Sequence, residues 1–114
     1  VKNDNYYEML STIRSKIYSR PYEKRSVEST AHEVRMSPSN FQHLYKKYFN
    51  VSFINDLIIS RTEYAAMLLQ TTNLSPGEIA HQSGYNHYAH FVRQFGRRFD
   101  MSPTEYRKSK SKEK

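Results

Sequence analysis

The sequence predicts an all-α fold of about seven helices. Two observations support this prediction: Ser-Pro pairs recur at three places, and the apolar residues between them repeat at the 3.6-residue spacing of a helix. Ser caps a helix start by accepting a hydrogen bond from an unpaired N–H, and Pro suits the first helical position because it lacks an N–H. We therefore place helix starts at Ser37-Pro38, Ser75-Pro76 and Ser102-Pro103.

The elements follow in order along the chain. Apolar spacing predicts helices over about 5–19, 27–34, 38–48 and 52–70, and these are followed by helices at 76–83, at about 87–98 and from Pro103. Pro21 ends the first helix, because the residue before a proline is biased away from helical backbone. The apolar face of the first helix is Tyr6, Met9, Leu10, Ile13 and Ile17. That of the longest helix is Ile54, Leu57, Ile58, Tyr64, Ala65 and Leu68, with Ala66 on the exposed side.

Two segments of the chain repeat each other. Residues 30–36 align with 79–85 at an offset of 49, and residues 41–52 align with 91–102 at an offset of 50. Each copy has a short helix, a short turn and a longer helix with basic and aromatic residues. This succession is typical of a helix-turn-helix, whose second helix enters the major groove of DNA. The sequence thus predicts two helix-turn-helix subdomains joined by a long linker helix.

The motifs of both copies resemble those of a known family. Ile79-Ala80-x-x-x-Gly84-Tyr85, then Phe91-x-x-x-Phe95, then Phe99-Asp100-Met101-Ser102-Pro103-x-x-Tyr106-Arg107 is similar to the C-terminal signature of the AraC/XylS transcription regulators. Ser37-Pro38-Ser39-x-Phe41-x-x-Leu44-Tyr45-Lys46-Lys47 resembles the first helix-turn-helix of that family, and Arg61-x-x-x-Ala65-x-x-Leu68-Leu69 resembles its linker helix. The resemblance covers about residues 5–108. It implies two helix-turn-helix units that bind adjacent major-groove segments.

Three positions depart from the family pattern. Arg35 stands where the first turn often carries Gly, and Asp100 stands where Gly is common before Met101. Because a non-Gly residue in left-handed backbone costs on the order of 1 kcal/mol, Arg35 predicts a different backbone path for the first turn. Gly96 stands where the second recognition helix usually carries Lys, so a phosphate contact is lost there.

Acidic residues avoid both predicted recognition helices. No Asp or Glu lies between Glu33 and Asp56, and none lies between Glu78 and Asp100. The whole chain carries 18 Lys and Arg against 11 Asp and Glu, a formal net charge of +7. This distribution favours a polyanionic partner, because carboxylates would repel phosphates at the contact surface.

The side chains opposite the aromatic face of each recognition helix are the predicted DNA contacts. Gln42 can pair bidentately with adenine and Arg93 with guanine, while Ala89 or Val92 can meet a thymine methyl group. The candidates for base contacts are Ser39, Gln42, His43, Asn86, His87, Tyr88, Ala89, Val92 and Arg93. The candidates for phosphate contacts are Ser37, Lys46, Lys47, Arg97 and Arg98. A surface ion pair is the alternative interpretation of Arg93.

Other classes of function have weaker support. The absence of Cys excludes disulfides, Cys-ligated zinc and Cys nucleophiles. No Gly-rich phosphate loop, nucleophile motif or paired carboxylate is present, so we predict neither catalytic residues nor a cofactor. His87 and His90, with His81 nearby, could suggest a metal site, but no Cys or nearby carboxylate completes a tetrahedral set, and we predict no metal. A basic helical module that binds an acidic protein remains the alternative function.

The sequence therefore predicts a sequence-specific double-stranded DNA-binding fragment of a bacterial transcription regulator. We expect it in the cytoplasm, on the nucleoid, with RNA polymerase as a further partner if the regulator is an activator. No apolar run is long enough for a membrane span. We expect the fragment to be monomeric, and the full-length protein to dimerise through a domain that this chain has no room for. The predicted segments are 1–50 (first helix and first helix-turn-helix), 51–71 (linker helix), 72–108 (second helix-turn-helix) and 109–114 (a disordered basic tail).

Overall fold

The computed structural model describes residues 2–112, and side chains from 5 to 111. Within that range the chain forms seven helices and no strand, which confirms the predicted fold class. The helices are α1 (Lys2–Ser19), α2 (Val27–Glu33), α3 (Pro38–Phe49), α4 (Phe53–Thr71), α5 (Pro76–Gln82), α6 (Tyr88–Phe99) and α7 (Pro103–Lys112). Two compact units meet in the sequence inside α4, the first ending at Leu57 and the second beginning at Ile58. The predicted linker segment 51–71 is thus divided between them.

The core of the first unit is built on three aromatic side chains that contact each other. Phe41 and Tyr45 of α3 are fully buried and contact Phe53 at ring-centroid distances of 4.9 and 5.6 Å, both edge to face. Buried side chains of α1 and α2 close this core, among them Leu10, Ile13, Ile17, Ala31 and Val34. Burial of such large rings against aliphatic side chains is the main source of stability for so small a unit.

A buried carboxylate joins three helices of the first unit. Asp56, 1% exposed, accepts hydrogen bonds from Arg14 Nε at 2.8 Å, Tyr18 Oη at 2.7 Å and Tyr45 Oη at 2.6 Å. Burial, with the nearby Asp56 carboxylate, raises the pKa of Tyr18 to about 12 and that of Tyr45 further. Both hydroxyls therefore stay protonated donors, and Asp56 ties α1 and α3 to the start of α4.

The core of the second unit has an aromatic residue, Tyr106, at the place where the first unit has the buried Asp56. Phe91 and Phe95 of α6 are fully buried, and Phe95 contacts Tyr106 at 5.4 Å, edge to face. Tyr106 stands 50 residues after Asp56, so the two copies fill equivalent places with different chemistry. Arg107 donates hydrogen bonds to the carbonyl oxygens of Leu69 at 3.0 Å and Thr72 at 3.1 Å, which satisfies groups at the end of α4.

Three assignments of exposure on α1 and α4 were wrong. Ile54 and Tyr6, predicted on the apolar faces, are 45% and 43% exposed, and Ala66, predicted to be exposed, is 5% exposed. The first turn of α4 buries Phe53 beneath α3, and this fixes a helix rotation that turns Ile54 outward. Ala66 lies in the core of the second unit, because α4 is buried on a wider face there than the predicted stripe allowed.

Helix α7 continues to Lys112, where the sequence predicted a disordered tail over 109–114. Its start is secured by Ser102, whose Oγ accepts a hydrogen bond from the Glu105 backbone at 3.1 Å, while Glu105 accepts from the Ser102 backbone at 2.8 Å. Lys110 lies over the ring of Tyr106 at 5.4 Å, a cation–π contact inside the predicted tail. Residues 113 and 114 lie outside the described residues.

Removal of the buried carboxylate should destabilise the first unit strongly. We expect Asp56→Ala to lower the free energy of unfolding by about 3 kcal/mol, because it leaves three donors without their acceptor. Tyr18→Phe, which removes one of the three donors, should cost about 1 kcal/mol. Denaturant unfolding measures both, and equal small losses would show that the carboxylate does not hold the helices together.

Candidate nucleic-acid interface

The two turns between the short and long helices share one backbone hydrogen-bond pattern. In the first unit the Met36 N–H donates to the Ala31 carbonyl at 2.9 Å, and in the second the Tyr85 N–H donates to the Ala80 carbonyl at 3.0 Å. These bonds close the C-terminal ends of α2 and α5 in the manner of a Schellman motif. The repeat predicted at an offset of 49 is therefore a repeat of backbone geometry.

A left-handed residue makes each turn possible. Gly84 has φ 95 in the second unit, and Arg35 has φ 57 at the equivalent place in the first. The different backbone path predicted for the first turn was therefore wrong: Arg35 adopts the left-handed conformation that Gly would adopt. It bears the steric cost itself, because the hydrogen bonds of the turn require that conformation.

The same correspondence continues through the recognition helices α3 and α6. Each ends at a left-handed residue, Asn50 with φ 57 and Asp100 with φ 58, whose N–H donates to the carbonyl four residues earlier at 2.8 Å. The starts differ. Ser37 accepts a hydrogen bond from the Asn40 N–H at 3.2 Å, whereas His87 caps α6 without a side-chain hydrogen bond.

On α3 the structure exposes every predicted contact residue. The exposed set is Ser37, Ser39, Gln42, His43, Lys46 and Lys47. Phe41 and Tyr45 are buried on the opposite side of this helix. Lys46 and Lys47 also lie in the last turn, where their charge complements the helix dipole. The exposed face of α3 therefore combines hydrogen-bonding groups with positive charge.

On α6 and in the two residues before it, the structure separates the predicted residues into two groups. The exposed candidates away from the core are Asn86, His87, Ala89, Arg93 and Arg97. Tyr88 is 47% exposed, but its ring contacts Phe91 at 6.0 Å. Val92 is half-buried and packs against the core of the unit. These two residues are placed less favourably for a base contact than the sequence suggested.

Arg98, a predicted phosphate contact, is engaged within the second unit. Its Nη2 lies 2.6 Å from Glu63 Oε2, and its Nε donates to Thr62 Oγ1 at 3.3 Å. The guanidinium also lies 5.2 Å from the ring centre of Phe99. These contacts join α6 to α4, so Arg98 holds the recognition helix in place within its unit.

Sequence reasoning missed one exposed residue near the predicted contacts in each unit. Arg35 is exposed in the first turn, and His90 is exposed on α6, three residues before Arg93. His90 was considered only as a metal ligand, although its helical spacing from Arg93 and Arg97 would have placed it on their face. Arg35 was counted among the basic residues of the acid-free segment and as a departure from Gly, but it was not named as a candidate contact.

Neither a metal-binding cluster nor a membrane-spanning helix is found among the described residues. Among residues 5–111, whose side chains the structure describes, no three His, Asp or Glu side chains are grouped as a metal ion would require. None of the helices in that range is long and apolar enough to cross a membrane.

Comparison with known proteins identifies a common family. Residues 30–109 match the model of a helix-turn-helix domain of the AraC/XylS type. The chain is 33% identical to the HTH-type transcriptional regulator AlkR of Acinetobacter baylyi over 98 residues, which are 86% of this chain and 32% of that protein. The chain spans about a third of the length of the curated relatives it matches.

Solved structures share the fold. The C-terminal domain of AraT, a response regulator from Geobacillus stearothermophilus, is 30% identical with a TM-score of 0.82, over 89% of this chain and 84% of that one. The DNA-binding domain of the global transcriptional factor AdpA, solved in complex with a target DNA, is 25% identical with a TM-score of 0.82, over 88% and 90%.

Relief of the strained turn should stabilise the first unit. We expect Arg35→Gly to raise the free energy of unfolding by about 1 kcal/mol, because Gly adopts a positive φ without the clash of a Cβ atom. Asn50→Gly is the matched control, since Asn tolerates the same conformation and should gain less. Thermal or denaturant unfolding measures both. A loss of stability in Arg35→Gly would contradict the account of the turn.

Proposed function

The chain belongs to the AraC/XylS family of helix-turn-helix transcription regulators, and from that premise we propose that it binds double-stranded DNA sequence-specifically, with α3 and α6 in adjacent major-groove segments. It acts as the DNA-binding part of a bacterial transcription regulator. The repeated turn is the observation that carries this proposal: identical hydrogen bonds lead into two helices, each with an exposed polar and basic face.

The exposed side chains divide by chemistry into base contacts and phosphate contacts. Arg93 offers two parallel donors to the O6 and N7 atoms of guanine, and Gln42 offers a donor and an acceptor to adenine. The ammonium groups of Lys46 and Lys47 and the planar guanidinium group of Arg97 are suited to contact phosphate oxygens. Specificity then comes mainly from the first group, and salt-dependent affinity from the second.

The location and partners that we propose for the chain are inferred from its family. The chain works in the bacterial cytoplasm on the nucleoid, and RNA polymerase is a further partner where the regulator activates transcription. The chain alone is a monomer that uses both of its units on one duplex. A basic module that binds an acidic protein is the competing function, and the tests below distinguish it because such a module has no preferred duplex sequence.

Base contacts and phosphate contacts should separate on mutation. After selection of bound duplexes from a random library, we expect Arg93→Ala to weaken binding to the selected duplex by about 1–3 kcal/mol, with little effect on random DNA. Lys46→Ala should weaken both alike and lower the salt slope by about one unit. Lys24→Ala, the loss of an exposed charge outside the recognition helices, is the control. Titrations at several salt concentrations measure these effects, and an equal loss on both DNAs would remove Arg93 from the base contacts.

Both units should contribute to one footprint. Successive major-groove segments on one side of a duplex lie 10–10.5 base pairs apart, so we expect a footprint of roughly 20 base pairs. A Gln42→Ala/His43→Ala variant should lose protection at one end, and an Arg93→Ala/Arg97→Ala variant at the other. Each should lose affinity by about 100-fold or more, because linked binding is lost. Shortening at the same end in both variants would contradict the model of two groove segments.

A further inference from the structure

Three polar side chains of the second unit connect its core to its surface. Tyr85, 6% exposed, donates from its hydroxyl to Gln94 Oε1 at 2.6 Å. The amide nitrogen of Gln94 lies 3.0 Å from His90 Nε2. His90 is exposed, so the chain of hydrogen bonds ends on the surface that carries Arg93.

The buried hydroxyl fixes the orientation of the Gln94 amide. Burial raises the pKa of Tyr85 to about 12, so the hydroxyl is a protonated donor. If the amide were turned over, its nitrogen would donate to the Tyr85 oxygen and the hydroxyl proton would lose its acceptor. A buried donor without an acceptor is costly, so the oxygen of Gln94 faces Tyr85 and its nitrogen faces His90.

This orientation selects one tautomer of His90. The Gln94 amide donates to Nε2, which must then be the unprotonated nitrogen of a neutral ring. The ring proton therefore lies on Nδ1, the nitrogen that Gln94 does not contact. The ring of His90 also contacts the Tyr85 ring edge to face at a centroid distance of 5.8 Å, which limits its rotation.

We propose that Tyr85 and Gln94 are positioning residues that hold His90 as a hydrogen-bond donor toward an acceptor atom of bound DNA. The proposal rests on the proposed function and adds His90 to the contacts of α6. The first unit has Met36, Asn40 and Leu44 at the equivalent places. Since Met and Leu cannot relay a hydrogen bond, the device belongs to the second unit.

The tautomer can be measured in the free protein. Imidazole ¹⁵N NMR at pH 8 should show His90 with its proton on Nδ1, while exposed His43, which no glutamine orients, serves as the internal reference. Tyr85→Phe removes the hydroxyl and lets the amide turn, so the His90 signals should move toward a mixture of tautomers. A proton on Nε2 in the unaltered protein, or no change in Tyr85→Phe, would overturn the proposal.

Binding to the selected duplex tests the second half of the proposal. We expect His90→Ala and Tyr85→Phe each to weaken specific binding by about 3–10-fold, the range of one hydrogen bond. The double variant should bind no more weakly than His90→Ala, because both changes remove one interaction. Tyr106→Phe is the matched control: its hydroxyl, in a side chain of the same unit that is 8% exposed, accepts from Gln70 at 3.0 Å.

The outcomes separate the two levels of the argument. Equal binding by Tyr85→Phe and Tyr106→Phe would overturn the positioning role while leaving the proposed function intact. If the unaltered chain shows no preference for any duplex, the proposed function and the DNA contact of His90 both fail, and the NMR result still decides the tautomer. Duplexes with 7-deazapurines identify the acceptor. If His90 donates to a purine N7, His90→Ala should have no effect on binding to these duplexes. If His90 donates to a phosphate oxygen, His90→Ala should weaken binding to them as before.

Discussion

In each helix-turn-helix unit, one left-handed residue directs the chain from the short helix into the recognition helix, at φ 57 for Arg35 and φ 95 for Gly84. The direction of α3 or α6 relative to its short helix follows from this residue, because the hydrogen bond from Met36 to Ala31, or from Tyr85 to Ala80, closes only around it. The aromatic cores then hold that direction. Because the direction of the recognition helix is fixed, the side chains on its exposed face keep a fixed arrangement relative to one another.

The two units reach this common geometry with different interiors. In the first, Asp56 accepts three hydrogen bonds, one of them from Tyr45. In the second, Tyr106 packs its ring against Phe95. The arrangement around Asp56 is sensitive to substitution, because a buried carboxylate that loses a hydrogen-bond donor destabilises the fold. The two copies are therefore more alike in their backbone turns and helix ends than in the chemistry of their cores.

Much of this architecture could be predicted from the sequence, because its signals are local. Each Ser-Pro pair favours a helix start by itself, and the three pairs correctly predicted the starts of α3, α5 and α7. The path at Arg35 and the burial of Ala66 could not be predicted, because packing and turn closure outweigh the local preference there. The engagement of Arg98 with Glu63, residues 35 apart in the sequence, likewise depends on the tertiary fold.

The central claim is that both recognition helices contact one duplex through their exposed faces. The most direct measurement is the set of amide and side-chain NMR shift changes when the selected duplex is added to the chain. The account predicts large changes for Gln42 on α3 and Arg93 on α6, with small changes for the buried side chain of Asp56. Changes confined to a single recognition helix, or centred on α1, would contradict it.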